Sequence, residues 1–182
     1  MNNQLLLKAV HFAAMKHRDQ RRKDKDASPY INHPISVALI LSEIGGIDDP
    51  VILAGALLHD TIEDTETSPR ELEENFGKEI RTLVEEVTDD KSLPKAVRKK
   101  VQIKHAKSLS KGAALIKLGD KISNVFDVTK NPPRNWDNER RMEYLNWAEA
   151  VINNCPKVNE NLEKRFFEVL EIGRKSLVFS QN

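Results

Sequence analysis

"DDPVILAGALLHDTIED", residues 48–64, decides the class of fold. Asp49 is a natural N-cap, and Pro50, with its fixed backbone angle, suits the first helical position. From Val51 to Leu58 the run is strongly apolar, so the helix it predicts is held against a core. The run ends in His59, Asp60, Glu63 and Asp64, four ionisable groups within six positions. On a continuous helix Glu63 lies one turn beyond His59, and Asp64 one turn beyond Asp60. A polar cluster at the end of an apolar helix opens into a cleft.

The flanking sequence repeats the pattern. Leu6, Val10, Ala13 and Ala14 recur at helical intervals before the basic loop "HRDQRRKDKDAS". "NHPISVALILSEIGG" starts a helix at Pro34 and stops it at Gly45 and Gly46. In "SPRELEENFG" Ser68 is the cap, Pro69 opens the helix, Glu71 completes a capping box and Gly77 ends it. Helical stretches follow in "KEIRTLVEEVTD", "PKAVRKKVQIKHAKSL", "AALIKLGDKISNVFDVTK", "NERRMEYLNWAEAVINN" and "PKVNENLEKRFFEVLEIGRK". No convincing period-two segment appears. The expectation is an all-α bundle of about nine helices, forming one domain over residues 1–182 with its core in about 5–170.

Twenty-nine basic against 28 acidic residues give a net charge of +1, which supplies no overall field for gripping nucleic acid or a membrane surface. The single cysteine, Cys155, excludes an internal disulfide framework and fits a reducing compartment. No apolar run is long enough to span a bilayer and the start has no signal-peptide pattern, so a soluble, cytoplasmic protein is expected.

Three carboxylates crowded at one helix end repel one another, and a divalent cation relieves that repulsion. His59 and Asp60, neighbours about 100° apart on a helix, can lean toward one ion. His33 stands at a rigid helix start beside Pro34. Asp120, in "LIKLGDKISNV", interrupts an apolar stripe and needs a cation, either Lys121 or a metal. His33, His59, Asp60 and Asp120 together make a nitrogen and oxygen donor set suited to Mn²⁺, Fe²⁺ or Zn²⁺.

The order H…HD…D resembles the HD-domain phosphohydrolases. The fuller set "RRKDKDASPYINHP", "ALLHDTIEDT", "FGKEIRTLVEEVTDD" and "LGDKISN" is similar to the RelA/SpoT-type alarmone hydrolases, in particular the stand-alone small ones that include the metazoan SpoT homologues. Gly119 departs from the family's usual alanine in "LADK", with little consequence expected. The resemblance implies a Mn²⁺ site on His33, His59, Asp60 and Asp120, with Glu63 and Asp64 as the acidic pair of the hydrolytic centre. It implies Mn²⁺-dependent removal of pyrophosphate from guanosine 3′,5′-bis(diphosphate), ppGpp or pppGpp, giving GDP or GTP. Metal-assisted attack of water on phosphorus, with a nearby carboxylate taking the proton, agrees with that chemistry.

Arg21, Arg22 and Lys23 lie in a loop that must approach the metal if His33 does, and the resemblance favours Arg22 and Lys23 as contacts to the nucleotide and its phosphates. Asn124, one turn after Asp120, is expected to reach a sugar hydroxyl or phosphate. The resemblance places Arg140 and Tyr144 in the nucleotide pocket. Eight Lys or Arg and no acid between Lys91 and Lys111 form a local basic patch, with Lys95 a candidate contact. His11, His17 and His105 lack partners at ligand spacing; the first two read as helix-face or supporting residues. Three alternatives stand beside the leading reading: hydrolysis of another nucleotide phosphate such as the 2′-phosphate of NADPH, an alarmone-binding module without chemistry, and nucleic-acid binding through the basic patch. Aromatics do not interleave with that patch, which disfavours the last.

Overall fold

Prolines and short polar side chains start many of the helices, as their chemistry requires. The computed structural model describes residues 3–179. Ten helical segments follow one another: α1 (Asn3–Lys16), α2 (Asn32–Glu43), α3 (Pro50–Leu58), α4 (Thr61–Asp64), α5 (Pro69–Phe76), α6 (Lys78–Val87), α7 (Lys95–Ala106), α8 (Lys111–Lys130), α9 (Asn138–Asn154) and α10 (Glu160–Phe179). Among the described residues there is no strand, only an isolated bridge between Arg21 and Pro29. The all-α expectation holds.

Asp49 caps α3 by accepting the Val51 N–H at 2.8 Å, and Ser68 caps α5 by accepting the Glu71 N–H at 3.1 Å. The acid of that expected capping box turns elsewhere: the Glu71 carboxylate pairs with Lys16 of α1 at 2.8 Å, tying α5 to α1. Gly77 joins α5 to α6 at φ +83°, a conformation that a side chain disfavours. Two other boundaries differ from expectation. Helix α2 begins at Asn32 and places His33 inside its first turn, and α10 begins at Glu160 rather than just after Pro156.

The larger difference lies in the decisive stretch itself. The helix stops at Leu58, and a separate single turn, α4, begins at Thr61. Side chains compete for the backbone there: His59 Nδ1 meets the Ala56 carbonyl at 2.7 Å and the Thr61 hydroxyl donates to the Leu58 carbonyl at 2.7 Å. Asp60 sits at φ −97°, ψ −1°, the sparsely populated region where many active-site residues are found. The shared-face spacing of His59 with Glu63 therefore does not describe the molecule. His59 and Asp60 belong to a break between two helices.

Helix α8 is the axis of the bundle, buried along most of its length and packed by α2, α3, α6, α9 and α10. Leu115, Ile116, Ile122 and Val125 of α8 share one core with Val37, Leu41, Leu145 and Phe166. A second core joins α1, α3, α5 and α6 through Ala9, Ala13, Leu58, Leu72 and Val84. Because α3 touches α1, α2, α6 and α8, it lies between both cores, which accounts for its apolar character.

Candidate active site

Three elements deliver the donor set to one place. The start of α2 brings His33, the α3–α4 break brings His59 and Asp60, and the middle of α8 brings Asp120. The ligand atoms of His33, His59 and Asp60 all lie within 4.8 Å of one another. Asp120 Oδ1 joins them, 3.1 Å from His33 Nε2 and 3.8 Å from His59 Nε2. Both imidazoles are buried.

The arrangement fits a divalent cation. His59 Nε2 is buried without a hydrogen-bond partner, even though Asp60 Oδ2 lies 3.1 Å away, out of line for a bond. Its Nδ1 is occupied by the Ala56 carbonyl, so the free nitrogen is the one that faces the carboxylates. The two acids draw positive charge into the cage. Burial opposes protonation of His59, but Asp60 and Asp120 outweigh it and push the imidazole up to about 10. At His33 burial prevails and the value falls. Burial also works against ionisation of Asp60 and Asp120, yet His59 at the first and Lys121 at the second hold both carboxyls below their ordinary value. Two anions and two imidazole nitrogens converging in a buried space are a donor set for a hard or borderline cation.

Supporting contacts fix these groups. The Tyr30 hydroxyl donates to Asp60 Oδ2 at 2.6 Å. Burial, with Asp60 beside it, pushes the phenol well up, so it stays a donor. Ser123 lies 3.2 Å from His33 Nδ1. Both partners expected for Asp120 have a place: Lys121 Nζ pairs with Oδ2 at 2.8 Å, leaving Oδ1 to the histidines. His17 is neither exposed nor alone. It is buried just beyond α1, stacks on Tyr30 and has Nδ1 2.6 Å from Gln20 Oε1, while Gln20 Nε2 donates to Asp64 at 3.1 Å.

Glu63 and Asp64 lie on α4. The Asp89 N–H donates to Glu63 Oε2 at 3.0 Å, but burial prevails over that bond, and with Asp89, Asp60 and Asp64 nearby the carboxyl is pushed up to about 7. Asp64 is held by Gln20 and by an ion pair with Lys91. One acid is thus poised near neutrality and the other is tethered.

A cleft of about 530 Å³, a volume within the range of small-molecule sites, borders the donor set through His33 and is also lined by Asp64. Arg22, Lys23, Asn124 and Tyr144, four of the expected substrate contacts, are among its lining residues. Arg22 bonds to Asn124 Oδ1 at 2.9 Å and to Asp127 at 2.7 Å, and Asn124 in turn donates to Asp120. Arg21 is also in the lining, with its guanidinium on the Arg18 and Gln20 carbonyls. Lys95 and Arg140 are placed differently. Lys95 is exposed at the start of α7 outside the cleft, and Arg140 stacks over Trp136 at 4.8 Å, behind a residue that does line it. The sequence alone did not single out Tyr30, Gln20, Asp127 or Trp136, and it placed Lys91 in the basic patch without its partner Asp64. Only Tyr30 carries a signal, its place in the quoted motif before His33.

Comparison with known proteins agrees in extent. The HD domain family matches residues 9–145. The human guanosine-3′,5′-bis(diphosphate) 3′-pyrophosphohydrolase MESH1 is 52% identical over 159 residues, 87% of this chain and 89% of that protein. The Drosophila melanogaster MESH1 is 47% identical over 163 residues, covering 90% and 91%. A solved metazoan orthologue of SpoT, described as hydrolysing ppGpp, superposes with a TM-score of 0.90 at 44% identity, covering 95% of this chain and 96% of that one. No described helix is long and apolar enough to cross a membrane.

Proposed function

We propose, on the premise that the chain belongs to the HD-domain family, that it is a Mn²⁺-dependent guanosine-3′,5′-bis(diphosphate) 3′-pyrophosphohydrolase. Water adds to the phosphorus that joins the ribose 3′-oxygen, that P–O bond breaks, and ppGpp or pppGpp yields GDP or GTP with pyrophosphate. The observation that carries the reading is similarity to such hydrolases along most of the chain, together with an undamaged donor set beside the cleft. His33, His59, Asp60 and Asp120 hold the ion. When bound, Mn²⁺ supplies Lewis acidity that makes water easier to deprotonate and screens phosphoryl charge.

The chain's own residues do the rest. Glu63, near neutrality, accepts the proton of the attacking water. Asp64, oriented by Gln20, fixes the water's direction of approach. Arg22 and Lys23 meet phosphate oxygens, and the Arg22 fork is already aligned by Asn124 and Asp127. Tyr144 and Trp136 supply aromatic faces for the purine at the other side of the cleft. The protein acts as a soluble cytoplasmic enzyme. Lys95 serves only to raise the local concentration of a polyanion, because it stands off the cleft.

Purified protein incubated with ppGpp and Mn²⁺ should release pyrophosphate and GDP, and Asp60→Ala or Glu63→Gln should abolish release. Intact ppGpp after incubation with the Mn²⁺-loaded wild type would sink the assignment. The same preparation offered NADPH tests the competing phosphate substrate.

A further inference from the structure

A second cavity, of about 160 Å³, lies between the end of α6, the loop that follows it, α7, α8 and α9; it shares no lining residue with the catalytic cleft, although its wall residue Asp89 holds Glu63 through its N–H. Two of its wall residues have unfinished hydrogen bonding. Lys117 of α8 is buried and its Nζ donates to the Val87 carbonyl at 3.0 Å; no carboxylate of the described residues pairs with it. Gln102 of α7 is also buried: its Nε2 donates to Asp89 at 2.6 Å, while its Oε1 has no partner. A buried lysine with a single placed hydrogen bond and an orphaned amide oxygen on the same cavity wall are both costly unless something else completes them.

The rest of the wall defines what that something is. Leu93, Val101, Leu109 and Val151 make it largely apolar. Glu86, Asp89 and Asp90 also border it, so a multiply charged anion is repelled. Lys117 Nζ, which Asp120, Asp89 and Glu63 reach only through space, has room for an anionic acceptor in direct contact, and Gln102 Oε1 has room for a donor that tolerates acidic neighbours. We propose that this cavity binds a free aliphatic amino acid, its carboxylate on Lys117, its ammonium toward Gln102 Oε1 and Asp89, and its side chain on the valine and leucine wall. At roughly 30 Å³ per water, the volume equals about five waters or one molecule the size of valine.

The test is titration of the full chain with L-valine, L-leucine, isovalerate and inorganic phosphate, followed by calorimetry and by the NMR signals of the Gln102 side-chain amide and the Val151 methyls. L-valine should saturate one site and shift those signals; isovalerate, which is valine without the ammonium, should bind about tenfold more weakly, the cost of one charge-assisted hydrogen bond. Phosphate should leave the same signals unmoved. Lys117→Met should weaken L-valine about tenfold or more. Val101 lies on the rim and is half exposed, so Val101→Trp closes the mouth without entering the core; it should lose binding while keeping its helix content and melting temperature. Absence of saturable binding by either amino acid up to millimolar concentration overturns the proposal, as does equal binding by wild type and both variants, or a shift of these signals by phosphate alone.

Discussion

The Tyr30 hydroxyl and the carboxylate of Asp60 meet at 2.6 Å, on the same oxygen that lies 3.1 Å from His59 Nε2. Tyr30 belongs to the loop before α2 and Asp60 to the break before α4, so this bond aims a donor atom that no helix holds in place. Tyr30→Phe keeps the ring and its stacking on His17 but removes the donor. Loss of such a supporting bond typically costs roughly 10- to 100-fold in metal affinity. Calorimetric titration of the apo-protein with Mn²⁺ should show that loss with little change in melting temperature; unchanged affinity would mean that Asp60 is held by other contacts.

In the proposed reaction Glu63, as the base, sets the pH dependence. Its carboxyl is pushed up to about 7, chiefly by burial, so its basic form is scarce in acid and plentiful above neutrality. With saturating metal, kcat/KM should rise about tenfold per pH unit below pH 7 and level off above it, whereas Glu63→Gln should be slow and lack this limb. Stability moves the other way. The folded chain holds the proton more tightly than the unfolded chain, whose value is near 4.5. Folding free energy therefore weakens as pH rises from about 4.5 to 7. Urea titrations of wild type and Glu63→Gln across that range should separate in slope, the variant being flatter.

Ala27, exposed in the loop between α1 and α2, sits at φ +51°. A side chain in that region costs about 1–2 kcal/mol, against about 0.4–1 kcal/mol of extra unfolded-chain entropy for glycine. Ala27→Gly should therefore stabilise by about 0.5–1 kcal/mol. A lower urea midpoint for the variant would contradict this.

Gly119 was expected to matter little, and its tight packing on α2 makes the return to alanine a test of that expectation. A Cβ there falls 3.0 Å from Leu41 Cδ2 and 3.2 Å from Val37 Cγ1, both fully buried on α2. Gly119→Ala gains up to about 1 kcal/mol of helix propensity, but overpacking a core costs about 1–3 kcal/mol. The net effect should be a loss of stability of about 1 kcal/mol, with weaker metal binding because α2 carries His33. Leu41→Val makes room, so in the double variant the two losses should add to less than their sum. Full additivity would dismiss the clash.

Much of the architecture was legible because capping is local chemistry. Asp49 with Pro50 and Ser68 with Pro69 mark helix starts by their own side chains. The donor set was legible through its motifs, although nothing in spacing alone joins His33 to Asp120. The break at His59–Asp60 was hidden because it depends on which carbonyls His59 and Thr61 capture, a competition that periodicity does not register. Gln20, Lys91 and Asp127 were hidden for a different reason. Each meets its partner across 27 to 105 residues of chain, and only the packed bundle brings them together.

That same break carries a consequence for how the molecule is assembled. His33 and Asp120 stand 87 residues apart, on helices that meet by packing alone, and His59 and Asp60 sit on neither. A cation gripped by all four is a rivet through three elements, available only to the finished fold and offered nothing comparable by the open chain. Its binding energy is then folding energy as well. Thermal melts should climb with the logarithm of Mn²⁺ concentration and drop on chelation, making the reagent of catalysis also the last fastener of the scaffold.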